Sequence, residues 1–105
     1  MFKVFTTKEF DEGFEDLDNS DRFRIEKFLD QLEEKGGDVG KPLTVPFFRE
    51  KRFRGKRLYF LFYEKFAVVL GVAIGDKKTQ QATIHRILEN LDEYKKYVIK
   101  LLERI

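Results

Sequence analysis

Six cations crowd into nine residues of this chain, Arg49-Glu50-Lys51-Arg52-Phe53-Arg54-Gly55-Lys56-Arg57, and a further basic pair, Lys77-Lys78, precedes Thr79-Gln80. A cluster of that density makes a local positive field whatever the overall balance. Its natural partner is a polyanion, and nucleic acid is the commonest one. The same residues would also suit a solvated edge strand, where Lys and Arg block edge-to-edge aggregation. Few groups nearby can move protons. His85 is the one histidine and there is no cysteine. Thiol nucleophiles, disulfide frameworks, Cys-ligated zinc, a two-histidine acid–base pair and a His-rich metal site are therefore excluded.

The weak net charge of +2 hides an asymmetry. Residues 8–38 hold 12 acids and 5 bases, whereas residues 41–105 hold 15 bases and 7 acids. With 105 residues, 42% of them apolar and 38% charged, the chain is expected to form one domain spanning 1–105 around one core. No apolar run approaches the roughly 20 residues needed to cross a bilayer. The opening Met1-Phe2-Lys3-Val4-Phe5 lacks the apolar stretch of a secretion signal. The expectation is a soluble, cytoplasmic protein with no membrane partner.

The elements that must position these cations follow from periodicity. Phe2 to Thr6 reads as a first strand. Thr7 can cap a helix with Glu9 and Asp11 in its first turn and Phe10, Phe14 and Leu17 on one buried stripe. Asn19 or Ser20 is expected to cap a second helix with the stripe Ile25, Phe28, Leu29 and Leu32, flanked by Phe23 and stopped by Gly36-Gly37. Pro42 and Pro46 oppose helix in the loop that follows. Three β-rich runs come next. Phe47 to Arg54 leads to a turn at Gly55-Lys56, with Arg49 and Lys51 on one face and Arg52 and Arg54 on the other. Arg57 to Tyr63 places Leu58, Phe60 and Phe62 on one face and Arg57, Tyr59, Leu61 and Tyr63 on the other. After a two-residue turn at Glu64-Lys65, Phe66 to Ile74 is apolar on both faces and should be a central strand. Thr79 is the expected cap of a final helix with Ile84, Leu88, Leu91, Val98, Leu101 and Ile105 near its stripe and Ile87 and Leu102 beside it. That helix runs through or bends near Asn90, with a restart at Asp92-Glu93. The order β-α-α-β-β-β-α indicates an α+β fold.

That order resembles the RelE/ParE superfamily of toxins from type II toxin–antitoxin pairs. Gly55-Lys56-Arg57-Leu58-Tyr59-Phe60-Leu61-Phe62-Tyr63 is similar to the family's strand, in which a glycine precedes an Arg-containing alternating run ending in Tyr. Lys77-Lys78-Thr79-Gln80, with Leu91-Asp92-Glu93-Tyr94 downstream, resembles the HigB-like branch. The resemblance implies a RelE-like domain, with an N-terminal helical hairpin packed on a mainly antiparallel twisted sheet and a C-terminal helix.

It also implies an activity. RelE-like members cut mRNA in the ribosome without a metal or other cofactor, the RNA's own 2′-hydroxyl attacking the adjacent phosphorus. Such a site needs a base for that hydroxyl, cations for the phosphorane and an acid for the leaving oxygen. By the resemblance, Arg57 binds the scissile phosphate through its planar fork. Lys77 or Lys78 stabilises transition-state charge. Arg49, Lys51, Arg52, Arg54 and Lys56 form the RNA-binding region. Gln80-Gln81-Ala82-Thr83 stands where RelE has a catalytic tyrosine, so Tyr59 or His85 would have to substitute. The implied partners are a cognate antitoxin, the ribosome and mRNA, and a homodimer is compatible with all of them. A ParE-like gyrase inhibitor and a catalytically degenerate RNA- or antitoxin-binding member are the alternatives.

Overall fold

The computed structural model describes residues 1–36 and 40–104. Its elements are β1 (Lys3–Thr6), α1 (Lys8–Glu15), α2 (Asn19–Lys35), β2 (Lys41–Pro42), β3 (Phe48–Phe53), β4 (Lys56–Tyr63), β5 (Val68–Asp76), α3 (Gln80–Glu89) and α4 (Leu91–Glu103). The five strands form one sheet in the order β1-β5-β4-β3-β2, parallel between β1 and β5 and antiparallel elsewhere. The expected α+β architecture is therefore present, with a short strand added at one edge and the last helix in two pieces.

The alternation along β4 sorts its side chains between two cores, as the sequence predicts. Leu58, Phe60 and Phe62 pack with Phe10, Leu17, Ile25, Phe28 and Leu32 from α1 and α2. Tyr59 and Leu61 pack with Phe48, Leu70, Ile87 and Val98 on the other side, beneath α3 and α4. The strand β5 lies between β1 and β4, and Val68 to Ala73 is buried throughout. Apolar residues on both faces require a helical layer on each side. The α1 layer comes very close. A Cβ at Gly71 would stand 3.0 Å from the Phe10 ring, so a side chain there would push α1 off the sheet.

The local signals differ from expectation where a neighbouring residue competes better for a donor. Thr7 caps α1 as expected, accepting from the Phe10 N–H at 3.2 Å. The α2 cap is Asp18, not Asn19 or Ser20; its carboxylate accepts from the Asp21 N–H at 2.8 Å. A carboxylate there also suits the positive end of the helix dipole. Phe23 is 58% exposed, outside the core, and its ring carries the Lys27 ammonium at 4.8 Å. Gly36 ends α2 at φ 59; Gly37 and Ile105 lie outside the described residues.

The β3–β4 turn is Arg54-Gly55, one residue earlier than expected. Both have positive φ, 45 and 81, and two such residues match the twist of a tight hairpin. Lys56 therefore starts β4. Glu64 to Phe66 forms a 3₁₀ turn closed by Ala67 at φ 52, in place of a two-residue hairpin turn. The final helix breaks at Asn90, whose side-chain amide donates to the Arg86 carbonyl at 2.8 Å. The acids Asp92 and Glu93 then occupy the first turn of α4.

Phe60 joins the sheet to both N-terminal helices. It is 1% exposed, with its ring centroid 5.4 Å from that of Phe28 and 6.3 Å from that of Phe10. Phe60→Ala is expected to cost about 3–5 kcal/mol in denaturant unfolding. A loss below about 1 kcal/mol would show that this core is not the one holding the layers together.

Candidate functional site

Register decides which cations share a face. Arg49 opposes Phe60 and Lys51 opposes Leu58, so both point toward α2. Arg49 donates to the Pro46 and Gly40 carbonyls, and the Lys51 ammonium lies 5.6 Å from the Phe28 ring centroid. Lys56 opposes Phe53 on that same side. Arg54 leaves the alternation at the turn and pairs with Asp21 of α2 at 3.3 Å, so it does not share the face of Arg52. Of the five residues expected to form the RNA-binding region, Arg52 alone shares the α3-facing side of the sheet with Arg57.

Arg52 and Arg57 oppose one another directly across β3 and β4. Like charges in that position repel, and Glu50, 3.6 Å from Arg52, offsets only one of the two. Arg57 is 8% exposed and its Nε has no hydrogen-bond partner. A buried guanidinium with an unused N–H is costly unless an anion completes it. On its other side Arg57 faces Gly75 of β5, which offers no side chain.

The neighbouring pair on the same face is Glu50 opposite Tyr59. Glu50 is 3% exposed; one carboxylate oxygen, Oε2, accepts from the Gln80 side-chain amide at 2.8 Å, and the other, Oε1, lies 3.6 Å from Arg52 Nε. Lys41 of β2 is the cross-strand neighbour of Glu50 on its open side. The Tyr59 hydroxyl is buried without a hydrogen-bond partner. Burial first, and then the charge of Glu50, push it up to about 12. Tyr59 is thus held protonated and sealed away from solvent.

The α3 N-terminus closes this side. Asp76 Oδ1 accepts from the Thr79 N–H at 3.0 Å and from its hydroxyl at 3.1 Å, and these bonds hold the Asp76 carboxyl below its ordinary value. Thr79 is the first residue outside α3, but Asp76 supplies the capping oxygen. Gly75 lets the turn sit low, since a Cβ there would be 3.0 Å from the Thr79 hydroxyl and 3.7 Å from that of Thr83. Lys77 and Lys78 are exposed in this turn, one strand across from Arg57 and Lys56. His85 is exposed on α3, whose buried positions are Thr83 and Ile87, so it points away from the sheet.

Arg57, Arg52, Glu50 and Gln80 therefore converge, with Lys77 and Lys78 at the border, while Arg49, Lys51, Lys56 and Arg54 face elsewhere. Glu50, Gln80 and Lys41 are members of this constellation that the sequence reading did not single out. Strand alternation was the available signal for Glu50, because it puts residues 50 and 52 on one face.

Solved structures share this architecture. The isolated E. coli RelE toxin aligns at 17% identity with a TM-score of 0.64, over 83% of this chain and 99% of its own. A doubly substituted E. coli RelE in the free state aligns at 16% identity and 0.67, over 82% and 97%. The RelBE2 toxin–antitoxin complex of Mycobacterium tuberculosis contains a chain aligning at 18% identity and 0.63, over 72% and 98%. No protein-family model matches the chain, and no curated protein matches it in sequence. The fold is that of these RelE toxins.

Tyr59 generates a direct check. A tyrosine raised from its ordinary value of 10.0 to about 12 contributes stability that is whole below pH 10 and is lost as pH climbs toward 12. Tyr63, pushed up to about 12 by burial, behaves alike. Burial also raises Tyr94, so spectrophotometric titration should show three of the four tyrosines ionising late. Tyr59→Phe should remove one of them and leave stability unchanged or slightly higher, since the lost hydroxyl has no partner. A Tyr59→Phe loss above about 1 kcal/mol would mean that the hydroxyl is bonded.

Proposed function

We propose that this chain is the toxin of a type II toxin–antitoxin pair and acts as a metal-independent, ribosome-dependent mRNA endonuclease. The observation that carries this reading is the opposed pair Arg52 and Arg57 on a RelE-like sheet, with the Arg57 Nε buried and unpartnered. Two guanidinium groups side by side, one of them lacking an acceptor, suit a phosphodiester. Arg57 grips the scissile phosphate. Arg52 holds a neighbouring phosphate oxygen. Lys77 and Lys78, at the exposed border of the site, stabilise the charge that develops on phosphorus.

The partner proposed from the same likeness is an antitoxin, because solved neighbours include RelE–RelB and RelBE toxin–antitoxin complexes. The attacking group is the RNA's 2′-hydroxyl, so the substrate supplies its own nucleophile and the protein supplies position and charge. Among the described residues no helix is long and apolar enough to cross a membrane.

Induced expression tests the reading. Wild type should arrest growth and create new mRNA 5′ ends on ribosomes. Arg57→Ala should abolish both, and the double substitution Lys77→Ala/Lys78→Ala should cut the yield of new ends at least about tenfold. Arrest without new 5′ ends would replace the nuclease reading by a gyrase-type target. No arrest by folded wild type would remove the toxin reading.

A further inference from the structure

The arrangement of Arg52 and Arg57 accounts for binding a phosphate but leaves the 2′-hydroxyl proton without an acceptor. Lys and Arg are protonated at neutral pH, Tyr59 is both protonated and sealed, and His85 points away from the sheet. Two carboxylates stand near the cations, and one of them, Asp76, has its Oδ1 engaged by the Thr79 N–H and hydroxyl in the α3 cap, which leaves Glu50. A groove of ≈ 460 Å³ runs along the β2–β3 edge, lined by Gly40, Lys41, Glu50, Lys51 and Arg52. Lys41 and Arg52 bring two cations to the face of Glu50, which suits an RNA backbone, while Lys51 turns toward α2, and Glu50 is the single acid of the lining. Its two oxygens are not equivalent. Oε2 is tied to the Gln80 amide at 2.8 Å, which fixes the carboxylate plane. Oε1 meets Arg52 only at 3.6 Å, beyond ordinary hydrogen-bond length, and so keeps lone pairs to accept a proton.

We propose that Glu50 is the proton acceptor of this site and that Gln80 is its positioning residue. The inference rests on the RNA-cleaving reading above. The step balances as follows. The 2′-hydroxyl proton passes to Glu50 Oε1 while the 2′-oxygen forms a bond to phosphorus. The bond from phosphorus to the 5′-oxygen breaks, and that oxygen takes a proton from water. The RNA ends as a 2′,3′-cyclic phosphate and a 5′-hydroxyl, and Glu50 returns its proton to solvent. The charged or titratable groups that face Glu50 are Lys41 of β2, Arg52 of its own strand, and Tyr59 and Arg57 of β4. From α3 it meets the neutral Gln80.

Single-turnover cleavage of a synthetic mRNA bound to purified ribosomes tests this. Glu50→Gln preserves size and an acceptor for the Gln80 amide but cannot take the proton. Its rate should fall about 10²–10⁴-fold, with ribosome binding unchanged and the wild type's loss of rate at acid pH missing from its profile. Gln80→Ala should lower the rate less and keep that acid limb. Should Glu50→Gln melt as an unfolded chain, Glu50→Asp replaces it. That variant keeps the charge and draws the carboxylate back by one methylene, and should slow cleavage at least about tenfold. Glu50→Gln, or Glu50→Asp in its place, cutting within about threefold of wild type while Arg57→Ala is inactive would overturn the role of Glu50 and leave the nuclease reading standing. Wild type that does not cut would overturn both.

Discussion

Burial of β4 and β5 on both faces is the constraint on which the rest of the structure depends. From Leu58 to Phe62 and from Val68 to Ala73 every residue is buried. Such strands are stable only between two helical layers, one made by α1 and α2 and the other by α3 and α4. Charge has no place in that interior, so the cations of the chain collect at the strand ends, the β2–β3 edge and the turn after β5. Arg57 and Glu50 are the exceptions, both buried and both charged. Groups of that kind are costly to keep without partners. A sheet that could have placed apolar residues there instead holds an arginine with an unused N–H, which is the physical argument for a ligand.

The neighbours of those two residues are set by backbone events rather than by side-chain preference. The Arg54-Gly55 turn fixes the register that puts Arg52 against Arg57 and Glu50 against Tyr59. A shift of one residue would send every one of these side chains to the opposite face. Gly75 and the Asp76–Thr79 cap lower the first turn of α3 until Gln80 reaches Glu50 across the sheet. The tie between α3 and the N-terminal layer is the two-pronged pair of Arg86 with Glu9, at 2.7 and 2.6 Å. The hydrogen bonds from Arg86 to Glu9 hold its guanidinium firmly charged, and Tyr94 of α4 also contributes.

Much of this was legible in the sequence because apolar periodicity reports burial directly. The stripes Phe10-Phe14-Leu17 and Ile25-Phe28-Leu32 and the alternation along β4 translate without loss into the two cores. The cap at Asp18 was harder to read, since Asp18, Asn19 and Ser20 are all good capping residues and geometry chooses among them. The short strand Lys41–Pro42 carries a proline and no alternation, and exists because β3 offers it an edge. The site was half legible. Cation density drew attention to residues 49–57, but density says nothing about faces, and only Arg52 and Arg57 of that run share the one beneath α3. Glu50 went unnoticed as the single acid in a basic run, although it is the residue that the fold buries most deeply there.

The claim that Arg57 holds an unfilled anion site is open to direct observation by NMR of arginine side chains. The Arg57 Nε–H signal, assigned by its absence in Arg57→Lys, should move as a short oligoribonucleotide is added, together with backbone amides of Arg52 and Gln80. An Arg57 signal that stays fixed while RNA perturbs other surfaces of the protein would contradict the placement of the site.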